Sequence, residues 1–430
     1  MWLNALTLAN FRNISRAQLA FSAGCNIILG PNGQGKTNLL EAIYLLSYGR
    51  SCRASSDKEL VNQAQSQYGC LIKGIVHPGQ IHPEWRQPYT LEIRLEPSGV
   101  SQRLSAKLKK DETVLKRRAQ WLGQLPSVAF FAQDLALLRG SPGERRHWLD
   151  AATSQWHPQH AQYLAEFERV LAQKNRALKT LQIEAETAPI LANNTELISV
   201  LNTQFAQTAA RLLASRQAYL ATILPEVTET HAQLTGQDRD GTLNLLYWAK
   251  GSLGSDVPPG ECCETLADWE AALTERLKLR LLAERVRGSC LIGPQRDDLS
   301  FFITPPGATA PLEATTFASQ GQQRSIVLAL KLAERACLSK ALNLSPIILL
   351  DDVMAELDPD RQHFLLCALQ SSTETHNVLP QVFLSTTHLT QAEQFIQATH
   401  AGVHPTQIYQ VHGGQFTAAS ADAPTMMLTP

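Results

Sequence analysis

The pattern of apolar and polar residues over positions 2–10 and 15–22 has a strand-like composition, which predicts two strands joined by a turn at Phe11-Arg12-Asn13. A short run, Cys25–Leu29, predicts a buried strand that leads into Gly30-Pro31-Asn32-Gly33-Gln34-Gly35-Lys36-Thr37. Beyond it Leu39, Leu40, Ile43 and Leu46 recur at helical spacing. Residues 69–76, 89–96 and 99–106 alternate like strands, and 126–131 reads as a further apolar strand. The period then changes. Ser141-Pro142-Gly143-Glu144 places Ser at an N-cap, Pro at N1 and Glu at N3, and helical patterning covers 144–182, 194–222 and 264–287. The Gly-, Pro- and Asp-rich stretch 236–262 reads as loop with one strand over Thr242–Trp248. Ile326, Val327, Leu330, Ala333 and Cys337 mark an apolar helix, Pro346–Asp352 a buried strand, and Gln381–His388 a last strand. The small-residue end, after about 415, is expected to fray.

Two of these segments carry chemistry. Gly30–Thr37 fits G-x-x-x-x-G-K-[ST] in the context that the pattern requires, between a strand and a helix. Glycines let backbone N–H groups converge on phosphates, and the helix N-terminus adds partial positive charge. Lys36 is placed to reach the β- and γ-phosphates of a nucleoside triphosphate, and the Thr37 hydroxyl to ligate Mg²⁺. A dinucleotide fingerprint fails, because Gly33-Gln34-Gly35 is followed directly by Lys-Thr. Downstream, Ile347–Leu350 ends in Asp351 and Asp352. A buried strand tipped by two acids is costly without a cation. Asp351 is placed to hold Mg²⁺, and Asp352 to polarise an attacking water as general base.

Composition narrows the class. The 430 residues are 44% hydrophobic and 18% charged with a net charge of −1, which excludes a disordered chain and a globally basic nucleic-acid coat protein. No stretch approaches the roughly 18 consecutive apolar residues of a membrane span. The start has no leader pattern, and the eight cysteines are scattered without a C-x-x-C pair. A cytoplasmic chain with reduced thiols and no membrane contact is expected. Charge is nevertheless local: residues 103–118 contain Arg103, Lys107, Lys109, Lys110, Lys116, Arg117 and Arg118 against Asp111 and Glu112. Arg50, Arg53 and Lys58 follow the first helix. Either group is a candidate DNA-phosphate surface, or simply a solvated face.

Further motifs come into view once the two acidic and glycine-rich segments are set in order. Phe317-Ala318-Ser319-Gln320-Gly321-Gln322, alone an ordinary helix start, resembles the signature loop of ABC-type ATPases, which binds the γ-phosphate held by a second subunit. Glu356-Leu357-Asp358 is similar to the D-loop of that superfamily, Gln133 to its Q-loop glutamine, and His388 to its switch histidine. The resemblance implies an α/β fold: an ABC-type P-loop ATPase head with an inserted, mostly helical second lobe. The long stretch between Lys36 and Asp351 gives the expected division. Residues 1–135 and 291–415 form the head, 136–290 the helical lobe, and 416–430 a flexible tail.

Finer strings resemble the RecF family of bacterial recombination and repair ATPases, which is related to SMC-type heads. They are Ala9–Asn13, Gly30–Thr37, Gly49–Arg53, Gly140–Arg146 with Leu149-Asp150, Gly293–Asp298, the signature loop and Leu350–Val353. Gln295 stands where the family usually has His, and Gln133 where an acid is common. The resemblance implies ATP and Mg²⁺ as ligands. Nucleotide contacts would come from Gly30, Pro31, Asn32, Gly33, Gln34, Gly35, Lys36, Thr37, Arg12, Gln133, Ser319, Gly321, Asp358 and His388. Catalysis would rest on Lys36, Asp352 and Ser319, the metal on Thr37 and Asp351, and DNA contacts on Arg50, Arg53, Lys58, Lys107, Lys109 and Lys110. It further implies weak DNA-linked ATP hydrolysis and a head-to-tail homodimer around two ATP. Action would fall at gapped DNA or single/double-strand junctions in replication and the SOS response, with RecR and indirectly RecO and RecA as partners. An SMC-like head acting as a structural clamp remains the alternative.

Overall fold

The computed structural model describes residues 1–54, 56–78, 87–98, 103–187, 195–235, 241–370, 380–390, 395 and 406–419. The chain divides into two compact units: residues 1–134 with 331–430, and residues 135–330.

In the first unit, β1 (Trp2–Phe11) and β2 (Ile14–Ala20) form an antiparallel hairpin whose turn holds Arg12 at φ 52. β3 (Cys25–Leu29) runs into α1 (Lys36–Tyr48), which is buried on nearly all sides and capped at its end by Gly49 in the left-handed conformation. β4 (Cys70–His77), β5 (Tyr89–Ser98), β6 (Arg103–Lys110) and the short β7 (Thr113–Val114) extend the hairpin into an antiparallel sheet in the order β2-β1-β4-β5-β6-β7. Residues 99–102, placed by sequence at the start of β6, lie outside the described residues. β8 (Ser127–Phe130) belongs to a second sheet.

The second unit opens with α2 (Ala136–Arg139) and α3 (Pro142–Trp156), the latter carrying the expected Ser141/Glu144 capping box. The single helix expected over 144–182 is broken. Pro158 lacks an N–H and drives His157 to extended φ −138, ψ 94, so α4 (Gln159–Thr187) starts anew. α5 (Thr195–Thr235) instead runs beyond its expected end at 222, straight through Pro225. The proline forfeits only the bond to Ala221, while Ile223, Val227 and His231 keep the buried face in phase. β9 (Thr242–Trp248) and α6 (Leu266–Arg287) follow, then β10 (Asp298–Thr304), β11 (Leu312–Glu313), α7 (Ala314–Phe317) and α8 (Gln320–Leu342). β10 pairs with β9 and β11, which puts 291–330 with the helical lobe rather than with the head.

Those pairings rest on a buried polar network that joins the sequence strings read as family-specific. Arg145 forks onto Asp298 at 2.8 and 3.2 Å, and Arg216 onto Asp150 at 2.8 Å through both nitrogens. Asp297 accepts from the Gly251 and Ser252 backbones, the Ser252 hydroxyl and Tyr247. His160 bridges Ser215 and Asp150, and its complete burial favours the neutral ring. Arg216 holds the Asp150 carboxyl far below the usual carboxylate range against the opposing effect of burial. Removing one member strands a buried charge. Arg216→Ala is therefore expected to destabilise this unit by about 3–5 kcal/mol, read as a lowered urea midpoint by circular dichroism.

The chain re-enters the first unit within α8. β12 (Ile347–Asp351), α9 (Pro359–Gln370), β13 (Val382–Thr386), β14 (Thr406–His412) and β15 (Gln415–Ala419) complete it. The second sheet runs β15-β14-β3-β13-β12-β8, parallel except for the antiparallel β15. β14 was not anticipated, and residues 415–419, assigned mainly to the fraying tail, form the edge strand; the remainder of that tail lies outside the described residues. Among the described residues no helix is long and apolar enough to cross a membrane.

Candidate nucleotide site

Ligands of parallel α/β sheets bind beyond the carboxyl ends of the strands. At that edge the structure gathers the Gly30–Gly35 loop after β3, Asp351 at the end of β12 with Asp352 following it, and Ser385-Thr386 at the end of β13. The loop is braced by the last hairpin. A Cβ on Gly30 would lie 2.5 Å from the Val411 carbonyl oxygen, so only glycine fits there. The Gly413 N–H donates to Gln34 Oε1 at 2.6 Å, and the Gly414 N–H to the Gln34 carbonyl at 2.9 Å.

Lys36 curls back over its own loop, donating from Nζ to the Gly30 carbonyl at 2.7 Å, the Pro31 carbonyl at 3.0 Å and Asn32 Oδ1 at 3.4 Å. Burial lowers its pKa, while the charges of Asp352 and Asp351 oppose that shift. Asp351 Oδ1 accepts from Thr37 Oγ1 at 2.9 Å and Ser385 Oγ at 2.7 Å. Burial raises the Asp351 carboxyl despite both hydrogen bonds, with Arg53 opposing and Asp352 adding to the rise. Asp352 sits at φ 55, its N–H donating to Ser385 Oγ at 3.1 Å. Its Oδ1 is buried and has no hydrogen-bond partner among the described residues. A hydroxyl, a desolvated carboxylate and an orphaned carboxylate oxygen at the mouth of a phosphate-type loop suit Mg²⁺, which is commonly held by one or two carboxylates and phosphate oxygens.

The other expected nucleotide residues are less uniform. Arg12 points at Glu41 on α1, through Nε at 3.0 Å and Nη2 at 2.6 Å, with Nη1 on the Glu59 carbonyl at 2.8 Å. Glu41 is fully buried and also takes Ser51 Oγ at 2.5 Å and Arg53 Nη1 at 3.5 Å. Neither Glu41 nor Ser51 was anticipated; the available signal was one acid in an apolar helix, a turn beyond Thr37. Gln133 is exposed, 3.6 Å from Cys52 Sγ through Nε2. Asp358 caps α9, accepting from the Arg361 N–H at 2.9 Å and pairing with its guanidinium. That backbone hydrogen bond lowers the Asp358 carboxyl. His388 is exposed past β13, its N–H on Thr386 Oγ1 at 3.2 Å. Ser319 and Gly321 belong to the second unit. There Ser319 and Gln322 exchange hydrogen bonds of 2.9 and 3.2 Å as an N-terminal cap of α8, and Phe317 is 65% exposed beside them.

The basic candidates separate in kind. Arg53 and Lys58 are exposed and Arg50 half-buried just after α1. On β6, Lys107 pairs with Glu96 at 2.6 Å and Lys109 approaches Glu92 at 3.8 Å. Lys110 donates to Gln124 at 2.7 Å and lies over the Tyr89 ring. Two lysines of the run that looked strongly basic in one dimension, Lys107 and Lys109, are thus matched by acids of the neighbouring strand.

The family model for the RecF/RecN/SMC N-terminal domain matches residues 2–405. The chain is 36% identical to the DNA replication and repair protein RecF of Heliobacterium modesticaldum over 420 residues, 98% of this chain and 100% of that protein. It is 35% identical to RecF of Lactobacillus johnsonii over 389 residues, 90% of this chain and 93% of that one. The chain belongs to the RecF family. Among solved structures, one of the recombination mediator protein RecF with ATP, from the RecFOR pathway, superposes with a TM-score of 0.78 at 26% identity, covering 97% of this chain and 98% of that one. The RecF family fold, an α/β ABC-type ATPase head with an inserted lobe, accounts for both units described above.

Proposed function

We propose that the chain is an ATP-hydrolysing, DNA-binding protein of replication and gap repair that dimerises around two ATP and helps load a recombinase onto gapped single-stranded DNA. The observation that carries this reading is the convergence of Lys36, Thr37, Asp351 and the unpartnered Asp352 oxygen at one mouth. Lys36 exchanges its loop carbonyls for the β- and γ-phosphates. Thr37 and Asp351 hold Mg²⁺, which when bound offsets phosphate charge. Asp352, fixed through its backbone by Ser385, orients and polarises the attacking water. Aspartate is one methylene shorter than the glutamate common in the superfamily, which favours slow turnover.

The capped Ser319 loop with its exposed Phe317 offers the γ-phosphate of a second copy a hydroxyl and a helix N-terminus, so two chains complete two sites. Ser319→Arg is then expected to leave ATP binding by the monomer intact and to block dimers; loss of monomer binding would sink the assignment. DNA phosphates fall to Arg50, Arg53 and Lys58 just after α1, with Lys107, Lys109 and Lys110 of β6 as a second group. Such contacts make binding salt-sensitive and independent of sequence. RecR, with RecO and RecA acting through it, are the proposed protein partners. Light scattering with and without Mg-ATP, repeated with gapped duplex, tests the whole reading: mass should double with ATP and the dimer should retain DNA. A mass that stays monomeric throughout rejects it.

A further inference from the structure

The link between α7 and α8, which presents Ser319, is gripped by a single glutamine. Gln323 is buried and uses both ends of its amide: Nε2 donates to the Ala318 carbonyl at 3.0 Å, and Oε1 accepts from Arg139 Nε at 2.6 Å. Its backbone N–H donates to the Ser319 carbonyl at 2.9 Å, so both residues of the link are held. Arg139 is itself fixed. It ends α2, whose Leu137 and Leu138 are buried. The carbonyl of the next residue, Gly140, accepts from Arg145 Nη1 at 3.0 Å, and Arg145 is the residue forked onto Asp298. A Cβ on Gly140 would lie 2.5 Å from the Ala136 carbonyl oxygen, so the turn from α2 into α3 closes only on glycine. Contacts therefore run without a break from Asp298 through Arg145, the Arg139-Gly140 backbone and Gln323 to Ala318 and Ser319. At the end of this chain Ser319 Oγ accepts from the Gln322 N–H at 3.2 Å, and among the described residues nothing takes the hydroxyl's own hydrogen.

On the two-chain site proposed above, we infer that Arg139 is a positioning residue for the ATP held by the other copy. It acts through Gln323 and touches no nucleotide itself. With Oε1 on the guanidinium, the amide has only Nε2 left for Ala318, and the direction of the Ser319 loop follows. A hydrogen bond from an exposed arginine ordinarily contributes little. This one is charge-assisted and ends on a buried oxygen that has no other donor among the described residues. Without Arg139 that oxygen is stranded, and turning the amide towards water relieves it while releasing Ala318. Ser319 then loses its fixed aim. A misplacement of about 1 Å in a group that binds the reacting phosphate can cost about 10²-fold in rate.

The test mixes two impaired full-length variants. In Arg139→Ala the phosphate loop is intact and the Ser319 loop is loosened; in Lys36→Ala the reverse holds. Arg139→Ala alone is expected to bind ATP as a monomer like the wild type, which also checks that it folds. Its turnover at saturating Mg-ATP should fall by about 10²-fold, with or without DNA. A 1:1 mixture with Lys36→Ala should turn over well above the sum of the two variants measured separately. In a mixed dimer, one of the two sites joins the intact phosphate loop of one chain to the intact Ser319 loop of the other. A residue that serves only its own chain's fold or its own ATP gives no such recovery. Ser319→Arg mixed with Lys36→Ala is the control and should recover in the same way. Recovery in the control but not with Arg139→Ala overturns the inference. So does wild-type turnover in Arg139→Ala, loss of its ATP binding as a monomer, or a defect confined to reactions containing DNA, which would make Arg139 a DNA contact. If neither mixture recovers, the two-chain site itself fails and the role of Arg139 falls with it.

Discussion

Lys36→Ala should abolish the ATP-dependent doubling of mass. The wild-type ammonium lies at hydrogen-bond distance from two loop carbonyls and Asn32, so it is already aimed into the concavity that the loop encloses. Burial makes the charged form less comfortable there than in water, and the field of Asp352 and Asp351 compensates in part. A triphosphate supplies a stronger anion than those carbonyls. Alanine removes that cation and leaves phosphate charge facing two carboxylates. The expected result is a loss of ATP affinity of at least tenfold, about 1.4 kcal/mol or more, and a light-scattering mass that stays monomeric at millimolar Mg-ATP. Lys36→Arg separates charge from shape: the guanidinium keeps the charge but cannot fold into the same turn, so it should restore little. A normal ATP-driven dimer in Lys36→Ala would refute the phosphate contact.

Asp352→Asn is the complementary case. Asparagine tolerates the left-handed backbone at φ 55, keeps the N–H on Ser385 and has the same size, so the strand end should stand unaltered. What it loses is the ability to accept a proton from water. Turnover should fall by about 10²–10⁴-fold while ATP binding and dimerisation persist or strengthen, because hydrolysis no longer empties the site. Phosphate release and light scattering on the same sample separate the two effects. Undiminished turnover removes Asp352 from the role of base.

The parts of the site that could be read in the chain are those in which adjacent residues act together. Gly30–Thr37 is a continuous loop, and Asp351-Asp352 end a continuous strand, so pattern and context suffice. What escaped is made of single residues brought together by folding. Glu41 has no local peculiarity beyond one acid in an apolar helix, yet it collects Arg12, Ser51 and Arg53. Similarly, Lys107 and Lys109 looked unmatched because Glu96 and Glu92 belong to another strand, and only the β5–β6 register reveals the pairing. Helix ends were misjudged at prolines in both directions: Pro158 stops a helix because the chain can turn there, and Pro225 does not because the buried face beyond it still has a core to join. The second boundary fell at 330 rather than 290 because Asp297 and Asp298 bind residues near 145 and 250, which no local pattern announces.

The brace under the phosphate loop has a consequence for the order of events at the ribosome. Residues 30–35 emerge long before the backbone of Val411 that walls in Gly30 and the glycines that hold Gln34. Between them the whole second unit must be synthesised. The nascent chain therefore carries its glycine-rich loop without this brace while the second unit is made, and gains it only when β14 pairs with β3.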